Sequence, residues 1–361
     1  MGKRVVATVP GKLILMGEHA VVYGRPAVVA AVGLTARVEL KLRHRGVAIE
    51  LPDIDFRSEL SWSEILAYTR SARSAWVEYL RRPGPETFNR VRGEDPDHLI
   101  KVALGEVAEG AAAEGLPALD VKVESEIPIG AGFGSSAATA VGVVAAALEM
   151  LGLPAGAPQV DRLVMEAERR QHGLPSGVDH RTVLRGGLIW AQTGPKGALE
   201  IEELSADPEL LAGFRVFHTG APEETTGAVV AEVRRRKREA PKWFDEVLDR
   251  MGRLVVEFHD LLPPAYAGHE EVSRIVRDYE RCLEEIGVVP RGVRDVVRRV
   301  EASGGAAKIS GAGGLEGPGA GCLLAYWPHS GDDGLPAELD AYTRYSVALG
   351  VDGLRVETSS E

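Results

Sequence analysis

Between Ile127 and Ala140 the chain reads IPIGAGFGSSAATA, where Gly130, Gly132 and Gly134 alternate with single residues and two serines open an alanine-rich run. No other stretch restricts the fold so tightly. Alanine is the best helix former, so residues 135–151 are predicted helical, while LDVKVES at 119–125 has the β-branched alternation of a strand. A plain strand-to-helix turn needs one glycine or two. Three suggest a second purpose, close backbone approach to a ligand. The first N–H groups of a helix lack intrahelical partners and sit at the positive end of its dipole, which makes them a site for phosphate oxygens. Gly130, Ala131, Gly132, Phe133, Gly134, Ser135, Ser136 and Ala137 are therefore the candidate phosphate cradle, with Ser135 or Ser136 offering a hydroxyl to a phosphate or to Mg²⁺.

The common nucleotide loops do not fit this string. No GxxxxGK followed by Ser or Thr occurs, so there is no Walker A loop. The glycine spacing is GxGxG rather than the GxGxxG of dinucleotide folds, and neither HRD nor DFG, the protein kinase signatures, is present. The loop does resemble the second motif of the GHMP kinase superfamily of galactokinase, homoserine kinase, mevalonate kinase and phosphomevalonate kinase. VPGKLILMGEHAVVYGRPAV at 9–28 is similar to the first motif, and KISGAGG at 308–314 with GAGCLLA at 319–325 to the third, in the family's order. Within the superfamily, GEHAVVYGRPA, ERRQHGLPSGVDH at 168–180, HTGAPEETTGAVVAEVR at 218–234 and ELPDIDF at 50–56 resemble the mevalonate kinases.

That resemblance implies a fold and a chemistry. The fold is α+β, with residues 1–195 as an N-terminal domain like the second domain of ribosomal protein S5 and 196–361 as a ferredoxin-like domain. The reaction is ATP-dependent phosphorylation of mevalonate at its 5-hydroxyl. Another GHMP kinase, acting on phosphomevalonate, on the 3-hydroxyl of mevalonate or on a sugar, is the alternative, followed by a non-catalytic ligand-binding relative. By resemblance Asp179 is the base and Lys12 its helper; an Asp in a Gly- and Pro-rich turn can orient an alcohol, and a lysine can offset charge on the transferred group. Glu168 and Ser136 are implied as Mg²⁺ ligands, Gly311, Ala312 and Gly313 as further nucleotide or substrate contacts, and Glu18, His19, Tyr23 and Thr225 as mevalonate contacts. Two departures stand out. The compact glycine run of the third motif is interrupted as GAGGLEGPGAGC at 311–322, which predicts a surface extension, and His180 follows Asp179 where Asn is usual.

At 361 residues the chain exceeds what one core usually serves, so two domains are expected. No apolar run reaches the roughly 18 residues of a membrane span, and the start of the chain lacks a signal-peptide core, which predicts a cytoplasmic protein with no membrane partner. A net charge of −11 argues against a nucleic-acid partner, leaving RRRKR at 234–238 and VRRV at 297–300 as solvated helix faces. Cys282 and Cys322 have no metal or redox spacing and read as small buried apolar groups. A homodimer is the assembly that the resemblance suggests.

Overall fold

The computed structural model describes residues 2–111, 115–194, 197–263, 268–327 and 335–360. The chain opens with strands β1 (Lys3–Met16), β2 (Ala27–Leu42), β3 (Val47–Leu51) and β4 (Phe56–Leu60), then helices α1 (Trp62–Arg81), α2 (Pro85–Arg92) and α3 (His98–Ala108). Strand β5 (Leu119–Ser125) leads through the glycine loop into α4 (Ser135–Met150), α5 (Ala157–His172) and α6 (Val178–Arg185), followed by the hairpin β6 (Leu188–Thr193) and β7 (Leu199–Leu204). The second half holds α7 (Pro208–Ala212), β8 (Phe214–His218), α8 (Thr226–Glu239), α9 (Pro241–Asp260), α10 (His269–Glu285), α11 (Arg291–Ala302), β9 (Ala306–Ser310), β10 (Cys322–Tyr326), β11 (Thr343–Tyr345) and β12 (Arg355–Ser360).

Two sheets result. The first runs β12-β1-β2-β5-β3-β4, with β6 pairing β2 and β7 pairing β6; the second runs β11-β8-β10-β9. The boundary expected at 195 is corrected on two counts. It would cut the β6–β7 hairpin, whose register runs from Leu188 opposite Leu204 to Thr193 opposite Leu199. The C-terminal strand also returns to the first sheet, pairing antiparallel with β1. Helix α1 lies outside the sequence expectations, although SWSE at 61–64 carried its signal: Ser61 and Glu64 form a reciprocal capping box.

Helix α4 is apolar and enclosed from Ala140 to Leu148, with Val141, Val143 and Val144 sealed from solvent. It packs on β1, β2, α3 and α5, so the helix that follows the glycine loop is the core of the first layer rather than a surface element. The sheets are clasped where β1 meets β9. Ser310 Oγ accepts from Ile14 N at 3.2 Å and donates to Ile14 O at 3.0 Å. Both cysteines are free and buried. Among the described residues no helix is long and apolar enough to cross a membrane.

Candidate active site

A β-bulge at Pro10 and Gly11 shifts the β1–β2 register and turns β1 toward the glycine loop. Lys12 N then donates to Phe133 O at 2.8 Å. The aliphatic stem of Lys12 passes beneath Gly134, where a Cβ would lie 2.7 Å from Lys12 Cγ, so this position must be glycine both for space and for its φ of +76°. Lys12 Nζ ends 3.1 Å from Asp179 Oδ2. Asp179 stands in the first turn of α6, after Gly177 in the left-handed region at φ +84°. The two partners differ in access: the side chain of Asp179 is 42% exposed and that of Lys12 only 5%. A ligand can reach the carboxylate while the ammonium holds it from below.

Gly130, Gly132 and Gly134 all have positive φ, and Gly134 opens α4 with no side chain bonding its first N–H groups. The amides of Ser135, Ser136 and Ala137 therefore suit an anion. A Cβ at Gly132 would meet Ser310 O at 2.8 Å, so the second and third motifs touch there. Of the eight loop residues expected to bind nucleotide, six can offer backbone alone, the three glycines among them. Ala131, Phe133 and Ala137 are buried, Phe133 stacking edge-on against Tyr345 at 5.2 Å, which places their side chains in the core. Gly311 and Ala312 line the cavity beside Asp179. Gly313 does not: its position is closed by Val288 O, which a Cβ would approach to 2.2 Å. The 315–320 extension is tied down rather than loose, since Glu224 accepts from the amides of Leu315 and Glu316 at 3.1 and 3.2 Å.

Glu168, from α5, is 3% exposed, and its carboxyl is pushed up to about 7, chiefly by burial. Its Oε1 is buried with no hydrogen-bond partner. An unpaired buried carboxylate oxygen is costly unless something binds it. Ser136 Oγ lies 2.9 Å from His172 Nε2, and that nitrogen is 3.7 Å from Glu168 Oε2. One carboxylate oxygen lacking a partner beside a serine hydroxyl is a donor set that fits Mg²⁺ shared with phosphate oxygens. His180 is buried and bonds Asp161 Oδ1 at 3.0 Å; Asp161 is held low, against its burial, by His180 and Arg181.

The residues expected to contact mevalonate separate into two groups. His19 and Thr225 line a cavity of about 600 Å³ next to Lys12 and Asp179; Glu18 and Tyr23 do not. Glu18 is completely buried and paired with an equally buried Lys308, so no substrate can touch it. Tyr23 stacks edge-on against Phe244, and its hydroxyl bonds Arg234. His19, at φ +59°, bonds Ala312 O at 3.0 Å through Nε2. A carbonyl only accepts, so Nε2 carries the proton, and burial lowers the ring's pKa to about 4. The neutral ring keeps only Nδ1, an acceptor, for a ligand. Thr225 caps α8, accepting from Ala228 N.

Three residues absent from the sequence expectations complete the cavity. Arg92 on α2 and Arg234 and Arg238 on α8 line it, and among the described residues none has a carboxylate partner. Their neighbours in RRRKR behave otherwise. Arg235 and Arg236 pair with Glu232, and Lys237 pairs with Asp245. The middle of the run is thus an ion-paired face, while the exposed Arg234 and Arg238 border the cavity together because a helix turns positions four apart to one side.

Residues 98–187 match the N-terminal domain of GHMP kinases. That is the class which a glycine loop at the head of a buried helix and a cleft between two sheets define. The chain is 30% identical to a mevalonate kinase of Thermococcus sibiricus and 29% identical to one of Pyrococcus furiosus, each covering 98% of both chains. A solved mevalonate kinase structure superposes with a TM-score of 0.74 over 97% of this chain and 98% of that one, at 19% identity. The chain belongs to the mevalonate kinase family.

Proposed function

We propose that this protein transfers the γ-phosphoryl group of ATP to the 5-hydroxyl of mevalonate. One observation carries the assignment of residues: Asp179 Oδ2 held 3.1 Å from Lys12 Nζ on the wall of a cavity also lined by arginines that, among the described residues, have no carboxylate partner. Phosphoryl transfer asks a protein to position a hydroxyl in line with phosphorus and to offset charge. Loop amides at the start of α4 donate to the phosphate oxygens. The alcohol oxygen attacks the γ-phosphorus, the bond to the β–γ bridging oxygen breaks, and ADP leaves. Asp179 orients the hydroxyl and takes its proton; the Lys12 ammonium stabilises the negative charge that builds beside it. Mg²⁺, when bound by Glu168 and Ser136, supplies charge to the β and γ phosphate oxygens. Arg234, Arg92 and Arg238 are the groups available to the mevalonate carboxylate, and His19 Nδ1 can accept from a hydroxyl.

Incubation with ATP, Mg²⁺ and mevalonate, followed by ADP detection and phosphorus NMR of the product, tests the proposal. The expected product carries its phosphate on the primary alcohol. Turnover of 5-phosphomevalonate in place of mevalonate would reassign the arginines to a phosphate, and a 3-phosphorylated product would move the alcohol in the site.

A further inference from the structure

Helix α5 places Glu168 and His172 four residues apart on one face, and His172 Nε2 lies 2.9 Å from Ser136 Oγ at the start of α4 and 3.7 Å from Glu168 Oε2. The reading of Glu168 and Ser136 as ligands of one divalent cation, on which this inference rests, leaves His172 without a task. Yet a serine hydroxyl has one proton, and where that proton points decides whether the oxygen can serve a cation. Two arrangements satisfy the 2.9 Å contact between Ser136 Oγ and His172 Nε2. In one, Nε2–H donates to Ser136 and the serine proton goes to Glu168, which uses up a lone pair of the hydroxyl and a lone pair of the carboxylate. In the other, Ser136 donates to a bare Nε2, and both oxygen groups keep their lone pairs.

We propose that His172 is a positioning residue: with Nε2 free of hydrogen, it takes the Ser136 hydroxyl hydrogen there and so turns the lone pairs of Ser136 and Glu168 toward a shared Mg²⁺. Only the second arrangement keeps both oxygen groups open to a cation, and Glu168 Oε1 is buried there without a partner. Outer groups that orient the donors of a metal site typically change metal affinity by about 10–100-fold when removed.

The test is calorimetric and needs no turnover. ADP binding is titrated with and without Mg²⁺ for the full-length protein and for His172→Leu, His172→Gln and Glu168→Gln. His172→Leu should raise the Mg²⁺ concentration at half-saturation by about 10-fold or more, with metal-free ADP affinity kept within about twofold. His172→Gln, whose amide oxygen can take the same proton, should recover to within about threefold of the parent and also serves as the folded comparison if the leucine variant unfolds. An unchanged Mg²⁺ dependence in His172→Leu overturns the inference while leaving the metal site standing, provided Glu168→Gln still shifts it. If Glu168→Gln shifts nothing, the metal assignment itself fails. Equal loss of metal-free and metal-bound affinity in His172→Leu, or Gln no better than Leu, makes His172 purely structural and overturns the positioning role.

Discussion

Two lysine–carboxylate pairs join the same motifs, one on the wall of the cavity and one sealed behind it, and they differ in access. Lys12 and Asp179 meet across the active cavity with the carboxylate 42% exposed. Lys308 and Glu18 meet with no exposure on either side, reinforced by Lys308 Nζ donating to Ile309 O at 2.8 Å and Tyr279 donating to Glu18 O at 3.0 Å. Both pairs come from the family's motifs, and residue type alone does not tell them apart. Access does. A carboxylate that water and substrate reach can take a proton and let it go, whereas a sealed pair costs desolvation and yields a fixed joint between β1 and β9. The first pair is the one proposed for the chemistry; the second is a joint between the two sheets.

The sharpest way to break the comparison is to exchange the expected effects. Asp179→Asn should lower kcat by about 10²–10⁴-fold, about 3–5 kcal/mol of barrier, measured by ADP release. Its unfolding free energy should move by less than about 1 kcal/mol, since a half-exposed ion pair contributes little. Lys308→Met should do the reverse. It leaves the Glu18 carboxyl buried without its partner and should cost about 3–5 kcal/mol in urea unfolding. Adding Glu18→Leu should recover most of that, which separates loss of a partner from loss of packing.

Smaller changes refine the same contrast. Arg234→Ala removes a charged donor from the cavity without touching the core, so KM for mevalonate should rise about 10–100-fold while kcat stays within about twofold. A fall in kcat with KM unchanged would place Arg234 at the phosphoryl end instead. On the sealed side, Glu280 accepts from Ile309 N at 3.1 Å, and its carboxyl is pushed up to about 8, chiefly by burial, from an ordinary 4.5. The native protein therefore keeps a proton there that the unfolded chain loses. The stability this contributes is complete below pH 4.5, declines as pH rises and is gone above about 8. Glu280→Gln should match the parent near pH 4.5 and exceed it at pH 9, by at most about 1.4 kcal/mol for each pH unit between, read from unfolding curves across that range.

Much of the site could be read from the chain because its parts are local. Gly130, Gly132 and Gly134 can take positive φ without a Cβ penalty, and all three do. The apolar run after Ser136 had to be a helix, and it is one, to Met150. Helix α8 and helix α9 divide at Pro241, as the proline required. Glu18 and Tyr23 were not separable from His19 in the same way, since all three sit in one motif and only packing shows which faces the cavity. Arg234 and Arg238 look identical to Arg235 until Glu232 and Glu239 are seen to occupy the latter.

What the sequence determined by itself, then, were the properties carried by backbone preference and by short spacing, the left-handed glycines and the helix they open, while Lys12 and Asp179 were singled out by the resemblance of their motifs. Tertiary structure alone decided which charges are sealed and which are open, and that β12 closes the first sheet from the far end of the chain. The physical reason is that burial and pairing are sums over neighbours distant in sequence. No local pattern encodes whether a lysine 296 positions beyond Lys12 ends in solvent or in a core.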